Sequence, residues 1–189
     1  MSPRTIPKTL TAEERARLLA RLHECSLVKL RALVICRLMT DLGLRGCEVC
    51  RLKVQDVDWS DRGAIIVNGK GAKQRKLWLS EENQELLRRW REVRDQLPQA
   101  NGYLITGLDG RPLKERNLRR IVKTALRRAD LPQYSAHHLR HTFATDLMAK
   151  ERKLRLVQEA LGHASLATTE IYLHVTDEEM ETALKRLRA

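Results

Sequence analysis

The segment AIIVNGKGAKQRKLWL, residues 64–79, decides the fold class, because the hydrophobic pattern changes there from a helical period to a strand-like one. It contains two short apolar runs, Ala64-Ile-Ile-Val67 and Lys76-Leu-Trp-Leu79, joined through the glycine-rich turn Asn68-Gly-Lys-Gly71. This combination predicts an antiparallel β-hairpin. Tyr103-Leu-Ile105 is a candidate for a third short strand.

Helical patterns flank this hairpin on both sides. Thr11-Ala-Glu-Glu14 is a capping box that predicts the start of the first helix. The next apolar segment, 26–42, is hydrophobic on most sides, which predicts a central helix ended by Gly43. Further helices are predicted at 45–52, 80–97, 113–129, 137–150, 153–161 and 177–188. The result is one α+β domain over residues 10–189, mainly α-helical with a small antiparallel sheet, after a leader at 1–9.

Composition limits the possible functions. The chain has 189 residues and a net charge of +12, from 36 Lys and Arg against 24 Asp and Glu. No apolar run approaches the roughly 20 residues of a membrane span, and the N-terminus lacks the apolar core of a signal peptide. We therefore expect a cytoplasmic protein without a membrane partner. Its excess of basic residues indicates a polyanionic partner, of which nucleic acid is the commonest.

The four cysteines do not predict a metal site. Cys47 and Cys50 have the spacing of half a zinc site, but Cys25 and Cys36 do not form a second close pair. All four lie in segments with helical periodicity, where cysteine is a small core residue. We expect reduced, buried thiols and no bound metal.

Basic residues are concentrated in two places that are expected to contact DNA. One is the amphipathic helix at 113–128, which includes Arg119 and Arg120. The other follows the hairpin turn and consists of Lys73, Arg75 and Lys76. Contacts of this kind bind the DNA backbone without reading its sequence. The alternative is a solvated helix face, in which case binding would depend little on salt.

Four local patterns could carry chemistry. They are the pair Arg45 and Glu48 at i and i+3, Lys70 within Gly69-Lys-Gly71, the pair His137 and Arg140 at i and i+3, and His163 followed by Tyr172. Each alone has an ordinary explanation, such as a buried ion pair, a lysine that protects a sheet edge, a surface contact or a core aromatic. On composition alone, Tyr103 and Tyr134 would be equally good nucleophiles.

Together and in this order, the four patterns resemble the catalytic domain of the tyrosine recombinase (integrase) family, closest to the Xer-type bacterial recombinases. The resemblance runs from about residue 10 to residue 185 and is carried by LGLRGCEVCRL, GKGAKQRK, HHLRHTFATDL and LGHASLATTEIYLHV. It implies the tyrosine recombinase (DNA breaking–rejoining enzyme) fold. The family's six active-site positions fall on Arg45, Lys70, His137, Arg140, His163 and Tyr172, and Glu48 matches the acidic position that supports the first arginine.

The resemblance implies a site-specific recombinase that cleaves and rejoins DNA by transesterification through a 3′-phosphotyrosine. Arg45 and Arg140 would clamp the phosphate, and Tyr172 would attack it. His137 is the candidate base, by its spacing from Arg140, and Lys70 the candidate acid. His163 would bond a phosphate oxygen. No metal ion, nucleotide or other cofactor is expected, because the cations supply the charge and the ester exchange conserves the bond energy.

The expected partners are double-stranded DNA and further copies of the chain, as a tetramer on paired sites. The N-terminal core-binding domain that most family members carry is expected to be absent. The helix at 177–188 could pack on its own domain or on a neighbouring protomer, and both possibilities remain open. Two other functions are a type IB topoisomerase-like relaxase and a catalytically silent DNA-binding regulator.

Overall fold

The computed structural model describes residues 8–23, 26–68, 74–98 and 102–162, and these ranges contain seven α-helices and three β-strands. The helices are α1 (Ala12–Leu22), α2 (Leu27–Thr40), α3 (Gly46–Arg51), α4 (Glu81–Asp95), α5 (Glu115–Arg128), α6 (Ala136–Glu151) and α7 (Leu154–Leu161). The strands are β1 (Val57–Asp58), β2 (Ala64–Asn68) and β3 (Gln74–Trp78). The predicted class, a mainly helical α+β domain with a small antiparallel sheet, is confirmed.

Helix α2 forms the centre of the molecule, as its apolar sequence predicts. It packs against α1, α4, α5 and α6, and most of its residues are buried. Val34, Ile35 and Cys36 have no exposed surface. A helix that is apolar on most sides needs neighbours on most sides, so the other helices are arranged around it.

Local capping determines where two helices begin. The Thr11 hydroxyl accepts a hydrogen bond from the backbone N–H of Glu14 at 3.1 Å, and the Glu14 carboxylate accepts one from the backbone N–H of Thr11 at 2.9 Å. This is the capping box predicted for α1. At α4, the Ser80 side chain accepts from the backbone N–H of Asn83.

The predicted hairpin is confirmed, but its ends lie elsewhere. Strands β2 and β3 pair from Ala64 with Trp78 to Asn68 with Gln74. Asn68 therefore ends a strand, and the connection between the strands is residues 69–73, which lie outside the described residues. The Gln74 side-chain amide donates to Oδ1 of Asn68 at 2.8 Å. Asn68 and Gln74 extend the pairing with side chains that face solvent, and a search for apolar runs misses such positions.

The prediction of a third strand at Tyr103–Ile105 is wrong. The third strand of the sheet is β1, which pairs with β2, whereas Tyr103 lies outside the sheet and forms an isolated bridge with Lys53. Side chains of α4 bind the carbonyls of this segment: Trp90 Nε1 donates to Leu104 at 2.8 Å and Arg94 Nε to Tyr103 at 2.9 Å. These bonds satisfy backbone groups that a strand would pair with its neighbours.

Two of the cysteines are core residues, as expected. Cys36 and Cys50 are buried, and burial raises the pKa of their thiols to about 12 and about 11. Cys47 is half-buried, and Cys25 lies outside the described residues. The described residues hold no group of three or more His, Cys, Asp or Glu side chains arranged to bind a metal. Nor does any helix within the described ranges have the length and apolarity that crossing a membrane requires.

Candidate active site

The first element of the site is the start of α3. Arg45 is the residue before the helix, and Glu48 lies in its first turn. The Glu48 carboxylate accepts a hydrogen bond from the backbone N–H of Arg45 at 2.7 Å and another from its Nη1 at 3.0 Å. The contact predicted from the i, i+3 spacing is therefore present. The Arg45 side chain is 39% exposed, whereas that of Glu48 is 6% exposed.

Glu48 lies among three arginines from three different elements. Besides Arg45, the guanidinium of Arg75 on β3 donates to both Glu48 oxygens, at 3.0 and 2.8 Å. Nη1 of Arg140 on α6 lies 3.7 Å from Oε2 of Glu48. We call Glu48, Arg45, Arg75 and Arg140 the Glu48 cluster. With three positive charges against one negative charge, the cluster suits an anionic ligand.

The arginines hold Glu48 in its charged form. Burial alone would raise the pKa of this carboxyl group. The hydrogen bonds from Arg75 and from the Arg45 backbone oppose it, as do the charges of Arg75 and Arg140, and the net result is a pKa below the ordinary value. A buried carboxylate remains ionised when enough donors surround it.

The same three arginines bind the C-terminal end of α7. Nε of Arg75 donates to the Ala160 carbonyl at 2.9 Å. The Leu161 carbonyl accepts from Nη2 of Arg140 at 2.9 Å and from Nη1 of Arg45 at 3.3 Å. The last carbonyls of a helix have no partner within it and carry partial negative charge. The Glu48 cluster thus holds the end of the helix that leads to residues 163–189.

Helix α6 contributes Arg140 and, one turn earlier, His137. The Arg140 side chain is 6% exposed, and its Nη1 also donates to the Gly43 carbonyl. His137 is exposed. Its pKa is lowered by partial desolvation and by the positive charges of Arg140 and Arg45. His137 is therefore neutral at pH 7 and able to accept a proton.

The three histidines of α6 have different partners. His137 Nε2 lies 2.6 Å from Nε2 of His141, so one ring donates and the other accepts. His138 instead turns back to Ser135, whose backbone N–H and hydroxyl lie 3.1 and 2.8 Å from its Nδ1. This bond caps the helix and assigns His138 to a structural role. Sequence reasoning missed the contact between His137 and His141, although their i, i+4 spacing indicates it.

The residues predicted to contact DNA fall into two groups. Lys76, Arg119 and Arg120 are exposed. Lys76 Nζ lies 4.3 Å from the ring centroid of Trp78, and Arg119 pairs with Glu115 at 2.5 Å.

Arg75 differs from these exposed residues, because its side chain is only 10% exposed and binds Glu48. Side chains alternate along a strand, so Arg75 shares the inward face with Leu77, whereas Lys76 points outward. This alternation is the signal that could have placed Arg75 in the site.

Several predicted site residues lie outside the described residues. They are Lys70, Lys73, His163, Tyr172 and the helix at 177–188. Both alternative nucleophiles, Tyr103 and Tyr134, are described, and the hydroxyl of Tyr134 donates to Glu14 at 2.8 Å. Burial and the Glu14 carboxylate raise the pKa of Tyr134, which makes it a poorer nucleophile.

Comparison with known proteins identifies the family. Residues 8–179 match the model of the phage integrase family. The chain belongs to this family. Tyrosine recombinase XerC of Corynebacterium glutamicum is 38% identical over 157 residues, which cover 83% of this chain and 51% of the relative. XerC of Vibrio cholerae serotype O1 is 37% identical over 174 residues, 91% of this chain and 55% of the relative. The chain thus spans about half the length of these curated relatives.

Solved structures of phage integrase family relatives show the same fold. The XerH site-specific recombinase bound to a palindromic difH substrate, in a post-cleavage complex, aligns with a TM-score of 0.82 at 32% identity. That alignment covers 98% of this chain and 54% of XerH. The XerA recombinase aligns with a TM-score of 0.83 at 28% identity, over the whole chain and 68% of XerA. The tyrosine recombinase catalytic-domain fold implied by the resemblance is confirmed.

Proposed function

We propose that the chain is a site-specific DNA recombinase or integrase that cleaves and rejoins DNA through a 3′-phosphotyrosine. One observation carries the proposal: Arg45, just before α3, and Arg140, on α6, both donate to the Leu161 carbonyl and both approach Glu48. Two converging guanidiniums match the oxygens of a phosphodiester. Family membership and the difH complex of XerH support the same function.

Arg45 and Arg140 stabilise the transition state in this proposal. Attack on the phosphodiester concentrates negative charge on the non-bridging oxygens, which the two guanidiniums bind. Arg45 is accessible to DNA, and its side-chain hydrogen bonds to described residues all come from Nη1. Together with Lys70, the arginines provide the charge that a divalent ion provides in other phosphoryl-transfer enzymes, so the reaction runs without a metal or nucleotide cofactor.

Two proton transfers complete the reaction. Tyrosine side chains in general have a pKa of about 10, so Tyr172 needs a base, and neutral His137 accepts its proton. Tyr172 then forms a bond to phosphorus, while the bond to the 5′-oxygen breaks. Lys70 protonates that leaving oxygen, and His163 donates a hydrogen bond to a phosphate oxygen. The 5′-hydroxyl of a partner strand later reverses these steps and releases the tyrosine.

The proposed partners are double-stranded DNA and other copies of the chain. Lys73, Lys76, Arg119 and Arg120 contact phosphates on either side of the cleavage point, and a homotetramer holds two DNA sites together. The exposure of the last three supports this assignment. Such a protein works where its DNA is, in the cytoplasm at the nucleoid.

The experiment uses nicked duplexes with a randomised centre, because cleavage near a nick releases a short strand and traps the covalent intermediate. The wild-type chain is incubated with this pool, and protein–DNA adducts are isolated under denaturing conditions and sequenced. We expect adducts enriched in one sequence. Tyr172→Phe should form none, and Tyr103→Phe, the matched control, should form as many as the wild type. Adducts in Tyr172→Phe would contradict the assignment of the nucleophile.

Two further assays separate the related activities. Exchange between two plasmids that carry the recovered sequence identifies a recombinase. Relaxation of a supercoiled plasmid without exchange would identify a topoisomerase-like enzyme. Salt-dependent DNA binding with no adduct at any sequence would identify a regulator and overturn the proposal.

A further inference from the structure

We propose that Arg75 is a positioning residue of the cleavage site. It holds Glu48 in place, so that the guanidiniums of Arg45 and Arg140 stay where they can bind the scissile phosphate, and it connects the hairpin to the end of α7. The inference rests on the proposed function. It replaces the expectation that Arg75 contacts the DNA backbone.

Arg75 forms a forked pair of hydrogen bonds with the Glu48 carboxylate. The guanidinium of Arg75 donates one hydrogen bond to each carboxylate oxygen. Arg45 donates one from its backbone N–H and one from Nη1, and Nη1 of Arg140 lies 3.7 Å away. A forked pair of this kind fixes the plane of the carboxylate. Without Arg75, the buried carboxylate would keep, of its hydrogen bonds from described residues, only the two from Arg45, and it would attract Arg140 more strongly. That guanidinium would then move away from the position in which it can bind a phosphate.

All three side-chain nitrogens of Arg75 already donate hydrogen bonds inside the protein. Its Nη1 and Nη2 bind Glu48, and its Nε binds the Ala160 carbonyl. Its side chain is 10% exposed, against 47% for the adjacent Lys76. A phosphate contact would require Arg75 to leave the Ala160 carbonyl and the buried Glu48, which is unfavourable because Glu48 would lose its forked partner.

Arg75 also connects three elements of the fold, β3, α3 and α7. It lies near the start of β3, directly after the connection that contains Lys70, and it reaches both α3 and α7. Gly162 ends α7 with a φ of 63°, and a Cβ added there would lie 3.0 Å from Nη1 of Arg75. Arg75 therefore packs against the turn that leads to His163 and Tyr172. Loss of Arg75 should disturb the relative positions of the catalytic groups more than it weakens DNA binding.

The experiment measures chemistry and binding separately on the full chain, with the duplex recovered from the randomised pool as the probe. Single-turnover adduct formation at saturating protein gives the rate, and titration at several salt concentrations gives the affinity. The variants are Arg75→Gln, Arg75→Lys, Glu48→Gln and the double variant Arg75→Gln with Glu48→Gln. Arg155→Gln is the matched control, since that arginine is 87% exposed on α7. Thermal unfolding is recorded for each.

A positioning role predicts a specific pattern. Arg75→Gln should slow adduct formation about 100-fold, because small displacements of catalytic groups have effects of that size. Its affinity and salt dependence should stay close to those of the wild type. Arg75→Lys should be intermediate, since lysine has the charge but not the fork. In the Glu48→Gln background, Arg75→Gln should add little, because both changes remove the same interaction.

Other outcomes overturn the inference. A wild-type rate at saturation with weaker binding and a salt slope reduced by about 1 would show that Arg75 contacts a phosphate. Additive rate losses in the double variant, or a rate loss that follows the unfolding temperature, would show a merely structural role. If Arg75→Gln does not fold, Arg75→Lys provides the same comparison. Absence of adducts with the wild-type chain would overturn the proposed function itself, and the role of Arg75 with it.

Discussion

The core around α2 and the Glu48 cluster are stabilised by different kinds of interaction. Around α2, apolar side chains from four helices pack without directional bonds, and many have no exposed surface. In the Glu48 cluster, three guanidiniums and one carboxylate meet where α3, β3 and α7 begin or end. Apolar burial tolerates small shifts, whereas a network of charged hydrogen bonds depends on geometry. The first region should therefore determine stability and the second the rate of reaction.

The largest expected effect is on stability. Ile35→Ala removes a fully buried side chain from α2 and should lower the free energy of unfolding by about 2–5 kcal/mol, as measured by urea denaturation. The adduct rate of the folded protein should not change. Val28→Ala, at a 45% exposed position of the same helix, is the control and should change stability by less than about 0.5 kcal/mol. A slower adduct rate in folded Ile35→Ala would contradict the separation between a core that determines stability and a cluster that determines rate.

Arg140→Lys tests the opposite case. Lysine cannot reproduce the fork that serves Gly43, Leu161 and a phosphate, so the adduct rate should fall by about 10²–10³-fold. The loss of stability should be smaller than that of Ile35→Ala. Lys150→Arg, at an exposed position of α6, serves as the control. Retention of more than a tenth of the wild-type adduct rate would contradict the assignment of Arg140 to phosphate binding.

Gly43→Ala should affect both regions, because this glycine lies between them. Its φ is 64°, and a Cβ would lie 2.3 Å from Cδ1 of Phe143. The positive φ alone costs about 1–2 kcal/mol of stability. Its carbonyl also accepts from Arg140, so the adduct rate should fall together with stability. Gly102→Ala, where a Cβ would meet nothing within 4 Å, should leave both unchanged.

The dependence of the rate on pH should report on His137. Its pKa is lowered, first by partial desolvation and then by the nearby arginines, so the neutral form persists below pH 6.5. The rate should be level above that pH and then fall about tenfold per unit once the pH passes below the pKa of the folded protein. His137→Gln should lose this acid limb. An acid limb centred above pH 6.5 in the wild-type chain would contradict the assignment.

The smallest effect is expected on the exposed face of α5. Arg119→Gln with Arg120→Gln should weaken DNA binding severalfold and reduce the salt slope by about 1 for each phosphate that the variant no longer binds. The adduct rate at saturation should be unchanged, because these residues lie outside the Glu48 cluster. Arg17→Gln with Arg21→Gln, two exposed positions on α1, is the matched control. An unchanged salt slope would favour the solvated helix face.

Some features follow from neighbouring residues alone. The capping box at Thr11, the apolar run of α2 and the contact between Arg45 and Glu48 each depend on residues within a few positions of one another. They were therefore predicted correctly. The errors concern pairing partners: the hairpin continues to Asn68 and Gln74, and Val57–Asp58 rather than Tyr103–Ile105 completes the sheet. Pairing depends on which backbone lies beside a segment, and local composition does not contain that information.

By itself, the sequence determined the helices of the described residues, the hairpin, the family and a list of catalytic candidates, because periodicity, caps and motif spacing are local properties. Only the tertiary structure decided the partners of Glu48. Arg75 looked like another surface cation beside Lys76, yet the alternation of β3 turns it inward, and the approach of α3 and α7 gives it a carboxylate and a carbonyl to bind. A buried charge is stable only where distant parts of the chain bring it partners, so its role emerges only from the folded chain.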